Sequence, residues 1–142
     1  MTTLADPPSR SAGERRCILV VEDNPLNMKL FSAMIGAQGY EVLQAGSGSA
    51  ALAVAHRRHP DLIIMDLQLP DMSGLDVTHE LKSAEDTHEI PIIATTAYAA
   101  QGDEAVIRAT GCDAYMAKPI AISEFLALIE SFILEPDGAR VA

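Results

Sequence analysis

Apolar residues along this chain follow two alternating rhythms. Short, nearly continuous apolar runs occupy Cys17–Glu22, Tyr40–Ala45, Asp61–Asp66, Ile90–Thr95 and Cys112–Ala117. Between them, over Asn24–Gln38, Ser47–Arg58, Gly74–Ala84, around Asp103–Ala109 and over Ala121–Ile133, helical patterns take over. The runs predict strands and the intervening patterns predict helices, because side chains repeat every two residues on a strand and every 3.6 on a helix. Strict alternation of the two predicts parallel strands joined by helical crossovers. Punctuation supports the boundaries. Asn24-Pro25 reads as an N-cap followed by proline at the first helical position, and Gly39 and Gly111 stand where helices should end. In the first helix Leu26, Leu30, Met34 and Ile35 are expected on one buried face. In the last, Ile122, Phe125, Leu126, Ile129, Phe132 and Ile133 are expected to do the same.

Strand composition orders the sheet. Ile18-Leu19-Val20-Val21, Leu62-Ile63-Ile64-Met65 and Ile92-Ile93-Ala94 are apolar throughout, as strands covered on both faces must be. Tyr40-Glu41-Val42-Leu43-Gln44 and Cys112-Asp113-Ala114-Tyr115-Met116 mix polar with apolar, as edge strands do. The expected fold is therefore α/β, a flavodoxin-like (βα)5 doubly wound parallel sheet with strand order 2-1-3-4-5. It should span residues 17–133, between a flexible N-terminal tail at 1–16 and a flexible C-terminal tail at 134–142. In such sheets a ligand sits beyond the carboxyl ends of the strands where the winding reverses. That point lies between the first and third strands, where Glu22, Asp23 and Asp66 stand.

Charge and composition narrow the function. Ten basic residues against twenty acidic leave a net charge of −10. Nucleic acid is then an unfavourable direct partner, since binding it depends on neutralising phosphates with Lys and Arg. No apolar stretch approaches the ~20 residues that span a bilayer, so direct membrane insertion is not expected. The first sixteen residues lack the apolar region of an export signal, and a cytoplasmic location is expected. Cys17 and Cys112, the only cysteines, are expected as reduced core residues. His56, His59, His79 and His88 are expected to be solvated, with no converging partners. The chain reaches Ala142 without room for an effector domain, so output is expected through protein contacts.

Glu22, Asp23 and Asp66 carry the candidate chemistry. Crowded carboxylates repel and raise one another's pKa unless a cation joins them. A hard divalent ion with oxygen ligands resolves that conflict, and Mg²⁺ does so with few carboxylates and several waters. The bland alternative for any one acid is a solvated strand cap. Thr96 follows the fourth strand, and Lys118 follows the fifth just before Pro119. A hydroxyl and an ammonium beside acids and Mg²⁺ make a set suited to a phosphoryl group. Alone, Thr96 reads as a turn residue and Lys118 as a surface lysine.

With these residues in view, the chain resembles the receiver domains of bacterial two-component response regulators, a CheY-like family. The resemblance covers Cys17 to about Ile133. It rests on Val21-Glu22-Asp23-Asn24, Met65-Asp66-Leu67-Gln68-Leu69-Pro70, Ser73-Gly74, Thr95-Thr96-Ala97 and Lys118-Pro119, in this order and spacing. Within the family, Glu22 to Phe31 and Gly111 to Tyr115 look like the small single-domain cell-cycle regulators of alphaproteobacteria. The resemblance implies that Asp66 accepts a phosphoryl group from a phosphohistidine, forming an aspartyl phosphate. Asp23, Asp66 and the backbone carbonyl of Gln68 would ligate Mg²⁺, with Glu22 acting through water. Lys118 would ion-pair with the phosphoryl group, Thr96 would hydrogen-bond it, and Tyr115 would be the aromatic switch. The implied partners are sensor histidine kinases or histidine phosphotransferases in a phosphorelay, and downstream protein targets. The bond before Pro119 is expected to be cis, and Tyr98 to slow loss of phosphate by hindering water. Such a chain is not an enzyme acting on other substrates. A phosphohydrolase with an aspartyl nucleophile places a second Asp two residues on, where this chain has Gln68. A degenerate receiver that binds partners without phosphorylation would have lost residues that here stand intact.

Overall fold

The computed structural model describes residues 16–97 and 103–133. Its elements are β1 (Cys17–Val21), α1 (Pro25–Ala37), β2 (Glu41–Ala45), α2 (Gly48–Arg58), β3 (Leu62–Asp66), α3 (Gly74–Ser83), β4 (Ile92–Thr96), α4 (Asp103–Ala109), β5 (Ala114–Ala117) and α5 (Ile122–Ile133). The expected tails fall, but for Arg16, outside the described residues, as does Tyr98. The strands form one sheet in the order β2-β1-β3-β4-β5, every neighbouring pair parallel, as the strand compositions predict.

Local chemistry sets the helix ends. Asn24, Ser47 and Ser73 accept hydrogen bonds from the backbone N–H groups of Asn27, Ala50 and Leu75, satisfying donors that have no partner inside a helix. Gly39 and Gly111 turn the chain at φ 96° and 99°, a region that a Cβ makes costly. The sheet is then covered on both sides. Leu19, Val21, Ile63, Met65, Ile92 and Ala94 face Ala51, Ala55, Val77, Leu81 and Ile107 from α2, α3 and α4. The alternate positions Ile18, Val20, Leu62, Ile64 and Ile93 face Phe31, Ile35, Phe125, Ile129 and Ile133 from α1 and α5. Fully burying a side chain of this size stabilises by roughly 1.5–3 kcal/mol, so the two layers dominate the folding energy.

Two helix faces differ from expectation. On α1 the buried residues are Phe31 and Ile35, with Met28 and Met34 partly covered, while Leu26 and Leu30 are 73% and 54% exposed. The largest ring sets the rotation of the helix: Phe31 packs on Phe125 with ring centroids 5.4 Å apart. Leu26 and Leu30 each precede a residue of the Asn27–Phe31 row, and one residue turns a helix by about 100°, which carries them toward water. On α5 the stripe Phe125, Ile129 and Ile133 is buried as expected, but Ile122 is 53% exposed. Ile120, just before the helix, packs against the core at that end instead.

Cys17 and Cys112 are buried thiols outside any disulfide, and burial pushes the Cys112 thiol up. No helix among the described residues is long and apolar enough to cross a membrane. His79 and His88 are exposed. His56 and His59, however, converge on one partner, contrary to expectation. His56 Nδ1 lies 2.8 Å and His59 Nε2 3.5 Å from Asp86 Oδ2. The α3–β4 connection brings Asp86 beside the C-terminal end of α2, thirty residues from His56 in sequence. The bond from His56 is the main reason that the Asp86 carboxyl sits below its ordinary value.

Candidate functional site

Parallel register gathers the site. Val21 pairs with Met65, Asp66 with Thr95, and Thr96 with Ala117. Residues that end β1, β3, β4 and β5 therefore share one edge of the sheet. Glu22 continues from β1 with its N–H donating to the Ala45 carbonyl at 3.0 Å. Glu22 and Asp66 are 3% and 2% exposed, whereas Asp23 beside them is exposed to solvent. Carboxylate oxygens of Glu22, Asp23 and Asp66 lie within 4.8 Å of one another.

Lys118 closes the group from β5. Its Nζ stands 3.4 Å from Glu22 Oε1 and 3.5 Å from Asp66 Oδ2. The Lys118-Pro119 bond is cis, as expected, and the Lys118 N–H donates to the Thr96 carbonyl at 2.8 Å. Thr96 is itself buried at 3% exposure. Asp66 Oδ1 accepts the Gln68 N–H at 3.0 Å, and Glu22 Oε2 accepts the Asn24 N–H at 3.2 Å.

The electrostatics follow from this crowding. Burial pushes the Glu22 carboxyl up and the Asp66 charge adds to it, while Lys118 and the Asn24 N–H oppose them. Three carboxylates face one ammonium, so the group retains unbalanced negative charge. Its donors are all oxygen. That combination fits a small hard divalent cation, which would relieve the repulsion Lys118 leaves over.

Every site residue expected from the sequence and described here lies at this edge, except Tyr115. Tyr115 pairs with Ala94 one layer back and is partly buried against the core. The Arg108 guanidinium from α4 lies over its ring, 5.3 Å from the centroid. That is a cation–π contact the sequence did not announce. Two further contacts support this edge from behind. A Cβ on Gly74 would stand 2.3 Å from the Asp66 carbonyl oxygen and 2.6 Å from Leu67 Cα. The start of α3 thus rests directly on the backbone at the end of β3. Asp71, in the loop between β3 and α3, accepts the N–H groups of Gly48 and Ser49 at 2.8 and 3.0 Å. The motif Ser73-Gly74 signals the first of these, and no local pattern signals the second.

Comparison with known proteins agrees with this geometry. The response regulator receiver domain family matches residues 18–130. The polar-differentiation response regulator DivK of Brucella ovis is 51% identical over 118 residues, which cover 83% of this chain and 96% of that protein. DivK of Brucella anthropi is 48% identical over the same shares. Among solved structures, the receiver domain of a sensor histidine kinase from Pseudomonas aeruginosa PAO1 is 36% identical with a TM-score of 0.79. It is matched over 86% of this chain and all of that one, and its crystal structure has a magnesium ion coordinated in the active-site cleft. Chemotaxis regulator CheY4 of Vibrio cholerae is alike in fold, with a TM-score of 0.79 at 24% identity, over 84% of this chain and 100% of its own.

Proposed function

Since the chain belongs to the response regulator receiver domain family, we propose that it is a Mg²⁺-dependent switch whose phosphoryl acceptor is Asp66. The observation that carries this reading is the buried Asp66 carboxylate, held between Lys118 and two further acids at the carboxyl edge of the sheet. Response regulators of this kind signal by phosphorylation within two-component systems.

In the proposed reaction an Asp66 oxygen attacks the phosphorus of a partner's phosphohistidine. The P–O bond forms as the P–N bond breaks, and the imidazole leaves. Asp23, Asp66 and the Gln68 backbone carbonyl are the residues that would hold Mg²⁺, with Glu22 acting through water. Bound there, Mg²⁺ supplies positive charge to the transferring oxygens. Lys118 moves its pairing from the carboxylates to the new phosphoryl group, and the Thr96 hydroxyl donates to it. Such a reaction is almost wholly positioning and electrostatics, so a preassembled group of charges suffices. The chain catalyses only its own phosphorylation and dephosphorylation. Acetyl phosphate or phosphoramidate should add one phosphoryl group in the presence of Mg²⁺, read by intact mass. Undiminished labelling in excess chelator would overturn the Mg²⁺ dependence.

Sensor histidine kinases or histidine phosphotransferases are the proposed donors, in the cytoplasm, and the DivK relatives support a role in polar differentiation. Output is proposed through α4, β5 and α5. Drawing the Thr96 hydroxyl toward the phosphoryl group opens space that the Tyr115 ring can enter, a shift between packings already accessible to the domain. The Arg108 contact holds the Tyr115 ring where it now stands and so opposes that shift. A cognate partner titrated with free and beryllofluoride-activated protein should bind the activated form at least fivefold more tightly, the low end of ordinary coupling. Equal affinity would refute the switch.

A further inference from the structure

The loop that follows Asp66 is fastened at two ends, and only one of them belongs to the site itself. At the near end Gln68 donates to Asp66 Oδ1, Gly74 N–H donates to the Leu67 carbonyl at 3.0 Å, and Gln68 bridges Ser73. At the far end the Asp71 carboxylate reaches across to α2. Its Oδ1 accepts the Gly48 N–H at 2.8 Å and its Oδ2 accepts the Ser49 N–H at 3.0 Å. These are the first donors of the helix, which have no partner within it. The ordinary cap of α2 is already present, because Ser47 accepts the Ala50 N–H at 3.2 Å. Asp71 is therefore a second, bidentate attachment, made from another part of the chain. Though exposed, its carboxyl is held below its ordinary value, first by the Gly48 N–H and then by that of Ser49.

Packing supports the same connection. A Cβ on Gly48 would lie 2.3 Å from Met72 Cγ, so the start of α2 and the Met72 side chain of the loop are in close contact. Of the two bodies joined, α2 is an eleven-residue helix buried through Ala51 and Ala55. The loop has little regular structure beyond the Gln68–Ser73 bridge. Fastening them fixes the loop to the helix more than the helix to the loop.

We infer that Asp71 is a positioning residue for the acceptor site, setting through the loop where Gln68 presents its carbonyl beside Asp66. This rests on the proposed roles of Asp66 and Gln68. Residues that orient metal ligands from behind commonly change affinity by 10- to 100-fold when removed. Acting through backbone alone, Asp71 belongs at the low end.

The test uses the full chain and Mg²⁺ alone, titrated while the backbone amide resonances of Asp66 to Gln68 are followed. Asp71→Ala should raise the Mg²⁺ Kd about tenfold. Asp71→Asn keeps one acceptor oxygen, should recover part of that loss, and serves if the Ala variant does not fold. Ser47→Ala removes the other cap of the same helix end while leaving the loop attached. It should lower unfolding stability but bind Mg²⁺ as the unaltered chain does. Unchanged affinity in both Asp71 variants would overturn the inference. So would equal weakening by Ser47→Ala, which would reduce Asp71 to an ordinary helix cap. An unaltered chain that binds no Mg²⁺, or an Asp66→Asn variant that binds it equally well, would instead refute the site reading and this inference with it.

Discussion

Asp66→Asn should abolish uptake of a phosphoryl group from acetyl phosphate while leaving the fold intact. An amide nitrogen and a neutral carbonyl oxygen replace the carboxylate proposed as nucleophile, at nearly the same shape, so packing around a side chain only 2% exposed is preserved. The electrostatic balance moves in two directions. Lys118 loses one of its two carboxylate partners, which it reaches at 3.5 Å, but keeps Glu22 at 3.4 Å. Glu22 in turn loses the neighbouring charge that, after burial, most raises its pKa. Relieving like-charge repulsion offsets the lost ion pair, and Lys118 is not left unpaired, so the large cost of a stranded buried charge is avoided. Mg²⁺ affinity should nonetheless fall, because one of the proposed charged oxygen ligands is gone. The decisive measurement is intact mass after Mg²⁺ and acetyl phosphate, beside a denaturation curve. Labelling of the variant equal to that of the parent would place the acceptor elsewhere.

Gly74→Ala should destabilise the domain and slow phosphorylation together. Helix propensity alone argues the opposite sign, since Gly to Ala within a helix ordinarily gains about 1 kcal/mol. Sterics decide the outcome here. The added Cβ would stand 2.3 Å from the Asp66 carbonyl oxygen, 2.6 Å from Leu67 Cα and 3.0 Å from the Asp66 carbonyl carbon. All three are backbone atoms, which cannot swing aside as a flexible side chain does. Overpacking a well-filled site costs about 1–3 kcal/mol, and contact with backbone belongs at the upper end. A net loss of about 2 kcal/mol or more, read from urea denaturation, is therefore expected. Relaxation must push α3 away or shift the end of β3, and the second route moves Asp66 directly. A variant as stable as the parent, labelled at the parent's rate, would show that the contact relaxes without cost.

The arrangement of elements and the membership of the acidic group were written in the sequence because both rest on local signals. Apolar rhythm distinguishes β1, β3 and β4 from β2 and β5, a distinction that agrees with the flavodoxin-like order the sheet adopts. Parallel strands bring their carboxyl ends to one edge, so Glu22, Asp23, Asp66, Thr96 and Lys118 had to converge once the topology was read. Tertiary structure decided what depends on the close approach of distant segments. The rotation of α1 followed the Phe31–Phe125 contact, which sent Leu26 and Leu30 to solvent although their spacing suits a buried stripe. His56 and His59 found Asp86, and Asp71 found Gly48 and Ser49, across more than twenty residues of intervening chain. The Ser73-Gly74 motif marks position 74 in the sequence, but the steric reason for glycine there emerges only when α3 is laid against Asp66. Period and capping act within a few residues and leave a mark on the sequence, whereas contact between remote surfaces is set by how whole elements pack.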